Sequence, residues 1–507
     1  MAATSANEDN ISLRVMVHKQ ENKVIFAEAD SNFVDTLFSL MTLPMATIVR
    51  LMKKCHDQNL KALGSFTNLY QSRMDLSLSH FSKEESKFMM LNPRTSSFDH
   101  CRKLQLKIDD TEPIANYFIC RNVSCSQRVG PFFSTCNFDR CSYCGALMDR
   151  ESKYEASTVH NTGQVACFDG SVFVCDGLTF IITDDLRVMP KTSDSNILLL
   201  GGLGITDASQ LEERTLDNSL QQILTLLKSA LLFKNPLTEL VFPGTHHSRY
   251  LVDQSQGSSV QNLVSNETGT NAKKMKLKVA LQKSTSKFLF AEADEDFVEL
   301  VFGFLEIPLG TVIRKLKMNG STSIDGFGNL FTSISNMKVG NHIKSHDLKD
   351  MLLNPQLEQK SISQHQIFPL NVANSSQDHQ GRCAHRPCSK KTWRRNSTKR
   401  HLIKLSYSSQ SIPQTIISDT TESKDSRVQE SFLKASVKFM VTDDLVITPL
   451  SFVSAIAVLN KLNVLVDDVE EHELSIGGEE GVKILEAGLR SSSTLSDALL
   501  NGKKFKL

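Results

Sequence analysis

The chain has 507 residues and nearly balanced charge, 57 Lys and Arg against 56 Asp and Glu. It is too long for one core at roughly 150 residues per domain, and its ordinary apolar content excludes a wholly disordered chain as well as a globally basic nucleic-acid binder. No apolar run approaches the ~20 residues needed to span a bilayer, and the first ten residues, with Glu8 and Asp9, lack the apolar core of a secretory signal. The expectation is an intracellular protein, cytoplasmic or nuclear, without a transmembrane segment. Its eleven cysteines then read as thiols or metal ligands rather than a disulfide framework.

Taken in order, Leu13, Val15 and Val17 alternate with polar neighbours and predict a half-buried strand. A polar turn over 20–23 and a second apolar strand over 24–29 complete a β-hairpin. From Asp30 the period becomes helical. Phe33, Val34, Leu37, Phe38 and Met41 form one stripe, with Asp30 or Ser31 as the cap and Asp35 favouring the positive end of the helix dipole. Pro44 ends that helix and another follows over 45–54. Residues 104–108 alternate again, and Tyr117-Phe118-Ile119 leads into a cysteine cluster. A second hairpin is predicted from Thr179-Phe180-Ile181-Ile182 through the turn Thr183-Asp184-Asp185 to Leu186-Arg187-Val188-Met189. Leu220, Ile223, Leu224, Leu227 and Leu231 then make an amphipathic helix face.

The same order is written again. Ile25-Phe26-Ala27-Glu28-Ala29-Asp30 returns as Leu289-Phe290-Ala291-Glu292-Ala293-Asp294, and the match runs without a gap from 13–50 to 277–314. Phe66-Thr67-Asn68-Leu69-Tyr70 returns as Phe327-Gly328-Asn329-Leu330-Phe331, Met90-Leu91-Asn92-Pro93 as Leu352-Leu353-Asn354-Pro355, and the second hairpin as 438–449. Val482, Leu485 and Leu489 close the second half as the leucine helix closes the first. These matches predict an α+β fold made by tandem duplication, each half built of β-hairpin and helix units with short antiparallel sheets. The first repeat spans 11–242, with hairpin-helix units over 11–100 and 165–242 around a cysteine-rich segment over 101–150. A polar linker covers 243–274. The second repeat spans 275–500, with hairpin-helix units over 275–355 and 431–500 and a degenerate cysteine and basic loop region over 356–430.

The most specific chemical signal is Cys120-x4-Cys125, fifteen residues, then Cys141-x2-Cys144. Two short cysteine pairs at this spacing suit four thiolates about one tetrahedral Zn²⁺, and a site filled by protein on all four positions is structural. Cys136 lies between the pairs and could replace a neighbour. The alternative is a set of reduced thiols; a redox Cys141-x2-Cys144 lacks the thioredoxin-like βαβ context. The second half keeps Cys383-x4-Cys388, with His385 and His401 nearby but no further cysteine, which reads as an eroded site. Cys55, Cys101, Cys167 and Cys175 have no ligand spacing and read as packed thiols.

Glu28 with Asp30, and Glu292 with Asp294, leave their strands on one face and could bind Mg²⁺ or share acid–base work. Strand-end and cap chemistry explains them as well, with Glu28 paired to an arginine such as Arg50. Gly201-Gly202-Leu203-Gly204 has neither the Lys-Ser/Thr of a phosphate loop nor dinucleotide spacing. Residues 382–404 hold nine Lys and Arg around Trp393, a pattern that suits a solvated loop, a nuclear address or a nucleic-acid contact.

The Phe-Ala-Glu-Ala-Asp motif, the Leu-Asn-Pro step, the paired cysteines and the Thr-Asp-Asp-Leu hairpin together resemble the plant family called domain of unknown function 674, in two copies. That resemblance implies a plant source and no activity. Three functions compete on the residues: a non-enzymatic binding or scaffold protein with a structural zinc and a protein partner, an enzyme using the strand-end carboxylates, and a nucleic-acid binder using 382–404.

Overall fold

The structure is a computed structural model that describes residues 11–54, 63–82, 84–111, 117–122, 133–134, 141, 144–152, 170–191, 201, 207–244, 274–318, 325–357 and 431–500. The fold is α+β, with helices and short antiparallel sheets. It divides into a larger unit, Met1–Asp110, Gly170–Ala373 and Gln429–Leu507, and a smaller one, Thr111–Asp169 and Asn374–Val428.

In the first half, β1 (Ile11–His18) and β2 (Lys23–Ala29) form the predicted hairpin, followed by α1 (Ser31–Ser39), α2 (Met45–Lys54), α3 (Phe66–Asp75) and α4 (Glu84–Leu91). The smaller unit contributes β3 (Tyr117–Ile119), β4 (Phe133–Ser134) and β5 (Arg150–Ser152). The larger unit resumes with β6 (Phe180–Thr183), β7 (Val188–Pro190), β8 (Leu211–Asn218) and α5 (Leu220–Leu232). The second half gives β9 (Met275–Gln282), β10 (Phe288–Ala293), α6 (Glu295–Gly303), α7 (Leu309–Met318), α8 (Asp325–Asn336) and α9 (His346–Leu353). It ends with β11 (Phe439–Val441), β12 (Ile447–Pro449), α10 (Phe452–Leu462), β13 (Val469–Ile476) and α11 (Gly478–Arg490).

The larger unit holds two five-stranded antiparallel sheets, ordered β7-β6-β2-β1-β8 and β12-β11-β10-β9-β13. Their registers agree in detail. Pairing skips Ile25 in one sheet and Leu289 in the other, a bulge at the same place in both hairpins. Phe26 and Phe290 both lie on the second strand of their hairpin. The inward residues of β1, Leu13, Val15 and Val17, are buried while Ser12 and Arg14 face water, as period-two patterning requires. In α1, Phe33, Leu37 and Phe38 are buried, as are Phe297, Val301 and Phe302 in α6.

Three features differ from the sequence-based expectation. The second hairpin of each half does not found its own sheet. All four residues of β6 are buried, and β6 pairs with β2 inside the first sheet. The edge strands β8 and β13 carry Glu212, Glu213, Arg214, Glu470, Glu471 and Glu473, and this charge hides their alternation. Leu104, Leu106 and Ile108 are buried but belong to no described strand.

The halves are interleaved. At the centre, Pro44 and Pro308 form an antiparallel bridge, with Met45 N–H donating to Ile307 O at 3.0 Å and Leu309 N–H to Leu43 O at 2.9 Å. From there each half sends a helix onto the other. Helix α3 packs against α6 and β12, whereas α8 packs against α5 and β7. Asn68 Nδ2 donates to the Asp444 backbone carbonyl and carboxylate, both at 3.1 Å; Asn329 does the same to Asp185 at 2.9 and 3.1 Å. Ser72 Oγ accepts from Ile447 N–H and Ser333 Oγ from Val188 N–H, each at 2.9 Å. Gly64, at φ 50°, enters α3 where a Cβ would stand 2.5 Å from the Gly488 carbonyl oxygen, so only glycine fits.

Ser72→Ala and Ser333→Ala should each cost ~1–3 kcal/mol, because each strips a buried strand N–H of its acceptor. Urea midpoints of the two variants, expected to fall by similar amounts, provide the check.

Candidate metal centre

The smaller unit has a three-stranded sheet, β4-β3-β5. Cys120 follows directly on β3, and Cys141 with Cys144 precedes β5. The second pair sits on a tight turn. Gly145 N–H donates to Cys141 O and Cys141 N–H to Ala146 O, both at 2.8 Å, while Gly145 takes φ 69°, a conformation costly for residues with a Cβ. Arg121 N–H donates to Leu147 O at 2.8 Å and ties the first cysteine's strand to the second cysteine's turn. An Arg121–Asp149 ion pair closes the rim of the same junction.

These ties bring sulfurs together. The Sγ atoms of Cys120, Cys141 and Cys144 all lie within 4.8 Å of one another, with Cys120 and Cys144 at 3.4 Å. Two thiolates on a tetrahedral Zn²⁺, each about 2.3 Å from the metal, stand about 3.8 Å apart, so the three sulfurs fit one zinc sphere. Cys120 and Cys141 are buried and Cys144 is exposed. Burial, with the neighbouring Cys144 sulfur next, pushes the Cys120 thiol up to about 11. Cys120 therefore holds its proton until a cation replaces it. Among the described residues Cys120, Cys141 and Met148 are buried together, with Ala146 against them. Cys125, the fourth expected ligand, and Cys136 lie outside the described residues, as do Cys383, His385, Cys388, His401 and the basic run 382–404.

The strand-end carboxylates have other partners. Glu28 is held by Lys191 at 2.5 Å and Arg14 at 2.6 Å rather than by Arg50, which instead pairs with Asp110 at 2.6 Å. Asp30 accepts from Phe33 N–H at 2.9 Å and caps α1. Asp294 pairs with Lys438. In the second hairpin, Asp184 accepts from Thr238 N–H, Thr238 Oγ1 and Asn235 at 2.6–2.8 Å. These contacts assign the acids to turns, caps and ion pairs.

Sequence reasoning misread one acid and missed three buried groups. Asp35 does not serve the helix dipole from the surface. It is buried and accepts N–H bonds from Val172, Phe173 and Val174, and burial lifts its carboxyl to about 6 against those bonds. Glu299 occupies the matching place in α6 and receives Leu433 N–H at 2.7 Å together with the Ser431 hydroxyl. The available signal was an acid at the same position inside both apolar stripes. The other pair, Arg73 and Glu306, lies fully buried between the halves at 2.9 Å.

No helix of the described residues is long and apolar enough to cross a membrane. A family model described as Protein of unknown function (DUF674) matches residues 7–479. No curated protein and no solved structure matches the chain.

Proposed function

The chain belongs to the DUF674 family, and from that premise, which carries no activity, we propose a non-enzymatic intracellular binding or scaffold protein whose smaller unit is held by one structural zinc. Cys120, Cys125, Cys141 and Cys144 are the ligands, and a protein is the partner. The observation that carries this reading is the convergence of three of those sulfurs on one sphere beside a turn built around Gly145. A metal held by four protein sulfurs has no open position for substrate, so it stabilises rather than reacts. The ion-pair and cap roles of Glu28, Asp30 and Asp294 favour this reading over carboxylate catalysis. We also propose that the two halves descend from one duplicated unit. The shared strand order, the shared bulge and the paired Asn68/Asn329 and Ser72/Ser333 contacts support that origin.

Metal analysis of protein purified without chelator or histidine tag should return about one zinc per chain, and Cys141→Ser with Cys144→Ser should remove it. Loss of the metal should open residues 120–150 to protease while the larger unit keeps its melting transition. Metal-free wild-type protein, or zinc retained by the double variant, would reject the assignment.

A further inference from the structure

Helix α10 is apolar around most of its circumference. One side, with Leu459, covers Leu289 of β10 together with Ala280 and Val464. Phe452 and Ile456 lie on the same stripe as Leu459, seven and three residues before it, and Val453 stands about 100° round the helix, yet all three are open to solvent. Phe452 is 81% exposed and Val453 76%, with Ile456 one turn on from Phe452. Leu465 and Val466, in the turn after the helix, are 72% and 74% exposed. Half of the large exposed apolar side chains among the described residues thus fall within one fifteen-residue stretch. So much exposed apolar surface gathered in one stretch marks an interaction site.

We propose that this face is an isologous dimer interface, covered by α10 of a second copy of the chain. Area is the first argument. Five such side chains expose on the order of 500 Å², near the upper end of what a monomer leaves in its largest patch. With a polar rim the contact reaches the ~600–800 Å² per copy that specific dimers bury. Charge is the second. No Asp, Glu, Lys or Arg occurs from 450 to 460, so the centre of the face is neutral. Around a two-fold axis each residue meets surroundings drawn from the same patch, and a charge there would confront its own sign. The neutral run removes that penalty, and Phe452 supplies the aromatic anchor that interface centres favour. A bilayer fits less well: α10 carries a single Lys461 and no arginine, without the basic face by which interfacial helices hold anionic lipid.

Sedimentation equilibrium of the full chain tests this over roughly 1–100 µM, the range in which contacts of this size dissociate. The wild type should show a reversible monomer–dimer equilibrium. Phe452→Asp with Val453→Asp should weaken it about 30-fold or more, with unchanged circular dichroism because both side chains are already in water. Phe88→Asp, at an exposed site on α4, should leave the dimer intact. Leu465→Asp with Val466→Asp gives a second, independent disruption should the first variant misfold. Ile456→Cys should cross-link two copies under mild oxidation. A wild type that stays monomeric throughout, or a dimer indifferent to both double variants, would overturn the proposal. So would monomers that float with anionic vesicles through this face, which would assign it to a membrane.

Discussion

Expressed without the second half, residues 1–244 should fail to reach a cooperative native state, and 274–507 alone should fail likewise. Each half lends the other a helix. Without the second half, α3 loses α6 and β12, and the buried Phe66, Leu69 and Tyr70 lose the packing that surrounds them. Without the first, α8 loses α5 and β7, with Phe327, Leu330 and Ile334 on it. Re-exposing a side chain of this kind costs ~1.5–3 kcal/mol. Three of them, with the stranded Ile447 or Val188 N–H, approach the ~5–15 kcal/mol that separates a typical domain from its unfolded ensemble. The two pieces co-expressed with a break inside 245–273 should instead assemble, because no described contact needs that segment. Dispersed amide resonances and a single urea transition for the co-expressed pair, against neither for the separate pieces, are the expected readings. A half that melted cooperatively alone would show that the exchanged helix is dispensable.

What could be read in the sequence was whatever repeats at a fixed period. The hairpin of β1 and β2, the stripe of α1 and the turn at Thr183 follow from alternation, helical spacing and local Asp hydrogen bonds. The family resemblance followed from the motifs those elements carry, and the family match covers residues 7–479. The exchange of α3 and α8 could not be read. Periodicity says that Phe66 and Leu69 share a buried face but not which half supplies the other side. Charged edges defeated the alternation signal at β8 and β13, where Glu212, Arg214, Glu470 and His472 stand on the half-buried face as well as Glu213, Glu471 and Glu473 on the exposed one. The cysteine spacing grouped Cys120, Cys125, Cys141 and Cys144; the structure brings Cys120, Cys141 and Cys144 together, and Cys125 lies outside the described residues. Asp35 lay hidden for the opposite reason: its partners are backbone N–H groups more than a hundred residues away, and no side-chain pattern marks them.

The ion pair between Arg73 and Glu306 has no counterpart at the matching positions of the other half, and breaking it should have a large effect. At the matching positions stand Ile334 and Thr42, both buried. Arg73 Nη2 meets Glu306 Oε1 at 2.9 Å with both side chains essentially unexposed. Arg73 Nε and Glu306 Oε2 have no hydrogen-bond partner among the described residues. Such a pair gains Coulomb energy but loses hydration on both ions, so its net contribution is small while its rupture is costly. Above about pH 8, where Glu306 is ionised, Arg73→Ala should destabilise the larger unit by ~3–5 kcal/mol, since the carboxylate is left buried without its cation. Arg73→Ile with Glu306→Thr, which copies the other half, should recover most of that loss. The pH dependence has a definite sign. Burial, reinforced by the nearby Glu299, holds the Glu306 carboxyl above the ordinary glutamate range despite Arg73. The native state therefore keeps its proton more tightly than the unfolded chain, and stability falls as pH climbs from that range toward about 8. Urea midpoints measured across this window should decline in the wild type, and the part of the slope due to Glu306 should vanish in the double variant. Equal slopes in the two proteins would mean that Glu306 is ionised throughout, and that the pair is a fixed salt bridge rather than a titrating one.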